Sequence, residues 1–137
     1  MRRTALAAAS SVLFLVGCTT SPTTSTSTDD FEGDERAVAQ TVADLTEAAS
    51  AREATDICGG VVSDALREEI AQGGSSCNDE MQKAIEDVDE FDLEVTDVTV
   101  TGDEATARVE NADRDRRVRR TFALVRVDGD WRISSFG

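Results

Sequence analysis

The residues able to do chemistry are few and unevenly spread. Cysteines stand at positions 18, 58 and 77, five arginines crowd the segment DRDRRVRR, among them Arg116, Arg117, Arg119 and Arg120, and 28 acidic residues face 14 basic ones. The chain has no His, the commonest general acid and base. A single buried carboxylate can still act as a base where its site raises its pKa. Asp44 and Asp56, in the first half of the chain, are the candidates, and each reads more simply as a solvated face residue. No GxSxG, phosphate-loop or HExxH pattern occurs. A metal reading of the thiols is poor, since no imidazole accompanies them and the spacing of Cys58 and Cys77 holds no CxxC element. The residues point away from catalysis, with no cofactor and no metal implied.

Charge divides the chain. Asp29 to Glu104 carries 23 acidic and 4 basic residues, whereas Ala105 to Gly137 carries 5 acidic and 8 basic. Capture of nucleic acid relies on Lys and Arg neutralising phosphates, so a chain with a net charge of -14 excludes that partner class. Untethered, it would also stand off from anionic headgroups. The acidity reads most simply as a solubilising surface. Within the basic island, strand spacing puts Arg117 and Arg119 on one side and Arg116, Val118 and Arg120 on the other. Two uses stay open. One is pairing with the chain's own carboxylates, Glu104, Glu110 or those of the acidic helices, each exposed pair contributing under about 1 kcal/mol. The other is contact with an anion or partner, such as a teichoic-type polymer or another envelope protein.

The N-terminus supplies an address. Met1, Arg2 and Arg3 are followed by a mostly apolar run, Thr4 to Val16, too short for a spanning helix of about 20 residues. Leu15, Val16, Gly17 and Cys18 resemble the lipobox of bacterial lipoproteins. That resemblance implies a signal peptide over 1–17, a diacylated Cys18 as the first mature residue, and a lipid-anchored protein on the extracytoplasmic face of the cell membrane. The competing readings are an ordinary cleaved signal followed by a free Cys, and a plain membrane anchor. With Cys18 carrying lipid, Cys58 and Cys77 remain as an even pair, whose loop closure is worth about 3 kcal/mol as a disulfide. Residues 18–30 hold the anchor and TTSPTTSTSTDD, a Ser/Thr-rich linker with nothing to bury, which reaches at most about 40 Å.

The domain, 31–137, reads helical and then extended. Val38, Val42, Leu45 and Ala49 form one stripe of a helix over about Glu35 to Arg52, with Asp34 as N-cap. A short helix from Ala54 to Cys58 ends at Gly59-Gly60. Ser63 caps a segment carrying Leu66 and Ile70, which Gly73-Gly74 terminates. Ser75 or Ser76 opens a third stretch with Cys77, Met81, Ile85 and Val88 at steps of four, four and three. After Asp89 the period becomes two. Leu93 and Val95 give way to Val98 and Val100 in the opposite phase, which predicts a bulge near Thr96 and Asp97. Turns at Gly102-Asp103 and Asp128 to Asp130 separate strands at about Ala105 to Val109, Arg117 to Val127 and Trp131 to Phe136. Helices before antiparallel strands make an α+β domain.

VTDVTVTGDEATARVE (Val95 to Glu110) and RTFALVRVDGDWRISSF (Arg120 to Phe136), the latter with a Gly-x-Trp-Arg-Ile ending, resemble the NTF2-like family, the cone-shaped fold of nuclear transport factor 2 and ketosteroid isomerase. The resemblance covers about Asp34 to Phe136. It implies helices packed on a curved antiparallel sheet of about four strands, and it agrees with a Cys58–Cys77 bridge between helical segments. It also implies a possible cavity, lined by Leu93, Val95, Ala107, Val109, Phe122, Leu124 and Ile133 of the strands with Val38, Val42, Leu45 and Met81 of the helices. The same residues serve equally as an ordinary core, which a domain this small needs. The isomerase branch uses a Tyr and the dehydratase branch a His dyad, and neither residue type is present. The expectation is a non-catalytic binding module for an envelope partner or a small apolar ligand. The alternative is a degenerate isomerase or cyclase working through one buried carboxylate.

Overall fold

Val38, Val42, Leu45 and Ala49 do form one buried stripe on helix α1, Gly33–Ser50. The computed structural model describes residues 28–113 and 116–137. The expected signal peptide, Cys18 and the linker up to residue 27 lie outside the described residues. Thr28–Asp30 make a single 3₁₀ turn that leads into α1.

Helix α1 starts earlier than its sequence cues predict. Glu32 is the N-cap residue, without a side-chain bond, and the expected cap Asp34 lies in the first turn. The Asp34 carboxylate instead meets the Arg126 guanidinium at 2.5 Å, a charged partner that competes successfully with a local backbone N–H. The helix ends in a Schellman motif: Glu53 N–H donates to Ala48 O and Arg52 N–H to Ala49 O, with Arg52 at φ 63°.

The next segment corrects an expectation. Helix α2, Ala54–Asp56, does not stop at Gly59-Gly60 but widens into a π turn, Ile57–Val61, that contains both glycines. This turn keeps Ile57, Cys58 and Val61 together in the core, and Arg132 donates to the carbonyls of Gly59 and Gly60. Helix α3, Asp64–Ala71, is capped by Ser63, whose hydroxyl accepts from Leu66 N–H. Helix α4, Cys77–Glu86, opens with a reciprocal Ser76–Asp79 capping box. It ends before Val88, which the predicted run had included. A disulfide joins Cys58 to Cys77, with Cα atoms 6.2 Å apart.

Strands β1 (Leu93–Thr101), β2 (Glu104–Asp113), β3 (Arg116–Val127) and β4 (Asp130–Ser135) form an antiparallel sheet in sequence order. The register slips between Val95 and Asp97, so the bulge falls where the phase change of the apolar residues predicted it. Asp128 and Gly129 both take positive φ, the requirement of a two-residue type I′ hairpin. The helices cover one face of the sheet and enclose Val95, Val98, Ala107, Val109, Phe122, Leu124 and Ile133 in one apolar cluster with α1, α2 and α4. Along its outer edge β4 is bridged by Val62, and Ser63 N–H donates to Ile133 O at 2.8 Å. This is the α+β, NTF2-like architecture that the sequence implied.

Candidate functional site

The core face of the sheet is set by β2 and β3, whose register runs unbroken from Glu104↔Val125 to Asp113↔Arg116. Strict alternation therefore fixes which residues share that face: Ala105, Ala107, Val109 and Asn111 on β2, and Leu124, Phe122, Arg120 and Val118 on β3. The expected pocket residues Val42, Leu45, Met81, Val95, Ala107, Val109, Phe122, Leu124 and Ile133 are all buried. They pack within one apolar cluster, so their first role is to form the core.

Among the described residues the cover ends beyond Val109 and Phe122. Val118 is 40% exposed and Arg120 is exposed, although both stand on the face that is closed over Phe122 and Leu124. Asn111 is the register partner of Val118 and of Leu93. Its Oδ1 is buried and accepts no hydrogen bond, an unusual state for a buried polar atom. Phe91 and Leu93 pack, partly buried, against the core.

The arginine island is split between the two faces. On the outer face Glu110 lies between two guanidiniums, 2.7 Å from Arg119 and 3.5 Å from Arg117, and Arg108 approaches Asp97 at 3.8 Å. These are the cross-strand pairs with the chain's own carboxylates that the sequence left open, made by Glu110 and, among the described residues, not by Glu104. They border a shallow polar groove of about 550 Å³ that Thr96, Arg120 and Thr121 also line. Arg120, on the core face, has no ion pair among the described residues. Arg116 opens β3 opposite Asp113 and is described by its backbone register alone.

The two carboxylates named as possible bases sit elsewhere. Asp44 is exposed, accepts from Gln40 Nε2 at 2.9 Å and borders a cleft of about 360 Å³ with Trp131, Arg132 and Gly60. Asp56 is exposed beside a separate cleft lined by Arg52, Asn78 and Gln82. The shifted carboxylates are Asp79 and Glu80, both in the first turn of α4. Hydrogen bonds from the Ser76 hydroxyl and then the Ser76 N–H hold Asp79 below its ordinary value. Lys83 does the same for Glu80. Both serve the helix terminus. Among the described residues no group of Cys, Asp and Glu is placed to hold a metal ion, and no helix is long and apolar enough to cross a membrane.

Sequence reasoning passed over two polar residues on the core face, Asn111 and Arg126. Their signal was available, since each occupies an apolar phase of its strand.

Residues 33–135 match the model of a family described as "Putative lumazine-binding". No curated protein and no solved structure matches the chain.

Proposed function

The chain belongs to this lumazine-binding family of NTF2-like domains, and from that premise we propose that it is a non-catalytic ligand-binding module, tethered through a lipid on Cys18 to the extracytoplasmic face of the cell membrane. The observation that carries the binding role is the unfinished cover of the sheet. The face that closes over Phe122 and Leu124 continues outward to an exposed Val118 and Arg120, a partly apolar surface beside a cation that a small ligand could occupy. Support for a non-catalytic role comes from Asp44 and Asp56, whose exposure gives neither the desolvation that tunes a carboxylate for proton abstraction.

The start of α1 and the open end of the face lie at opposite ends of the sheet. Helix α1 begins beside the β1–β2 and β3–β4 turns, where Asp34 and Asp103 both meet Arg126. The β2–β3 connection lies at the other end of strands that, at ten residues for β2, run for roughly 30 Å. A tether entering at α1 would therefore join the domain at the end opposite to that face.

Two measurements test this reading. The full chain should partition into the detergent phase in Triton X-114 and incorporate labelled acyl groups, and Cys18→Ser should lose both. In calorimetric titration the full chain in nonionic detergent should bind lumazine or a comparable planar aromatic at one site per chain. Labelling that persists in Cys18→Ser overturns the anchor, and the absence of saturable binding overturns the ligand role.

A further inference from the structure

Two arginines of β3 whose side chains are described, Arg120 and Arg126, stand on its core face, one on each side of Phe122 and Leu124, and they are treated differently. Arg126 is partnered by Asp34, Asp103 and the ring of Trp131. Arg120 has no ion pair among the described residues and stands in the open. An exposed guanidinium at the edge of an apolar face, without a carboxylate, is free to turn toward an incoming anion. Diagonal to it, two residues further out on the neighbouring strand, Asn111 keeps a buried Oδ1 without a donor. An acceptor of that kind costs stability until a donor reaches it. Val118, exposed between them, provides apolar contact.

We propose that Arg120, Asn111 and Val118 form the recognition end of a ligand site whose occupant is a small aromatic acid bearing an N–H or O–H donor. The carboxylate or sulfonate pairs with Arg120, the Asn111 amide turns outward so that the donor reaches its Oδ1, and the ring lies on Val118 and toward Leu93. The inference rests on the ligand-binding reading and adds the ligand's chemical class and the residues that select it. Arg117 and Arg119 are excluded from this role because they face the other side of the sheet, where Glu110 occupies them.

Three probes of one size separate the contacts, titrated calorimetrically into the full chain in nonionic detergent with empty micelles as the blank. Indole-3-acetate carries both an acid and a ring N–H, 1-naphthaleneacetate lacks the N–H, and indole-3-ethanol lacks the acid. The wild-type chain should bind indole-3-acetate about tenfold more tightly than either analogue, the size of one charge-assisted or buried hydrogen bond. Arg120→Ala, an exposed substitution, should erase the preference over indole-3-ethanol alone. Asn111→Leu should erase the preference over 1-naphthaleneacetate alone, and Arg119→Ala on the opposite face should change neither. Equal binding of all three probes, or an unchanged preference in Arg120→Ala, overturns the site and leaves the ligand-binding reading standing. Binding of lumazine with none of the three probes does the same, and binding of neither lumazine nor the probes overturns both.

Discussion

The Arg126 guanidinium lies 4.6 Å from the centroid of the Trp131 ring, its register partner across the last hairpin. The same group reaches Asp34 at 2.5 Å and Asp103 at 3.8 Å. One side chain thereby ties the start of α1, the β1–β2 turn and β4 together. The ion pairs are solvated and contribute little each, whereas the stacking is partly shielded, because Trp131 is buried, and is worth about 1–2 kcal/mol. Arg126→Ala should therefore cost about 1–2 kcal/mol. Arg126→Lys should recover part of the loss, since it restores charge without a planar stacking group. Urea denaturation followed by the fluorescence of Trp131, the sole tryptophan, reads both, and a wild-type midpoint in Arg126→Ala would refute the account.

The disulfide fastens the π turn to the start of α4. Cys58 and Cys77 are 19 residues apart, and closing a loop of that length removes about 3 kcal/mol of freedom from the unfolded chain. Both residues are buried, so reductant should act only when the helical layer opens. The double variant Cys58→Ala, Cys77→Ala should unfold at a lower urea midpoint, by about 2–4 kcal/mol. Wild-type protein should show no reactive thiol at these positions by mass spectrometry before denaturation. A double variant as stable as wild type would mean that helix packing alone holds the segment.

What the sequence made legible was local. The change of period after Asp89, the bulge at Thr96, the Asp128-Gly129 hairpin and the Ser63 and Ser76 caps each depend on residues within a few positions of one another, so spacing and turn chemistry reveal them. The departures came from distant partners. Gly59 and Gly60 read as a helix stop, but their carbonyls are taken by an arginine 73 and 72 positions away. Asp34 read as a cap, yet its partner lies 92 positions on. The candidate site was half visible in the same sense. Strand alternation separated Arg117 and Arg119 from Arg120, while only the fold shows that Glu110 occupies the first two and that Asn111 Oδ1 is left without a donor.

Protonation should loosen the start of α4. The Ser76 hydroxyl donates to Asp79 Oδ2 at 2.8 Å and Asp79 N–H donates back to Ser76 Oγ at 3.2 Å, bonds that favour the charged carboxylate and lower its pKa. A group depressed in the folded state stabilises fully above its ordinary unfolded value, near 3.9. That stability is lost as the pH falls below this value through the lower folded one. Between about pH 5 and pH 2.5, Asp79→Asn should flatten part of the fall in urea midpoint that wild type shows. Ser76→Ala should cost about 1 kcal/mol at neutral pH through the lost cap. Identical pH profiles for wild type and Asp79→Asn would remove Asp79 as a contributor.

Arg52 performs two tasks that oppose each other. At φ 63° it occupies the left-handed position that closes α1, a conformation that costs a residue with a Cβ about 1 kcal/mol and costs glycine little. Its guanidinium reaches past the end of α4 to donate to the carbonyls of Ile85 and Val88, the latter at 3.1 Å. That places a cation at the negative end of the helix dipole, where it contributes up to about 1 kcal/mol. Arg52→Ala keeps the strain and loses the cap, so it should destabilise by about 1–2 kcal/mol. Arg52→Gly loses the cap but relieves the strain, and should therefore lie about 1 kcal/mol above the alanine variant and close to wild type. The ordering arginine, glycine, alanine in urea midpoint is the diagnostic result. An alanine variant as stable as the glycine variant would show that the backbone at position 52 relaxes once the side chain is gone, and that capping of α4 is the only task Arg52 performs.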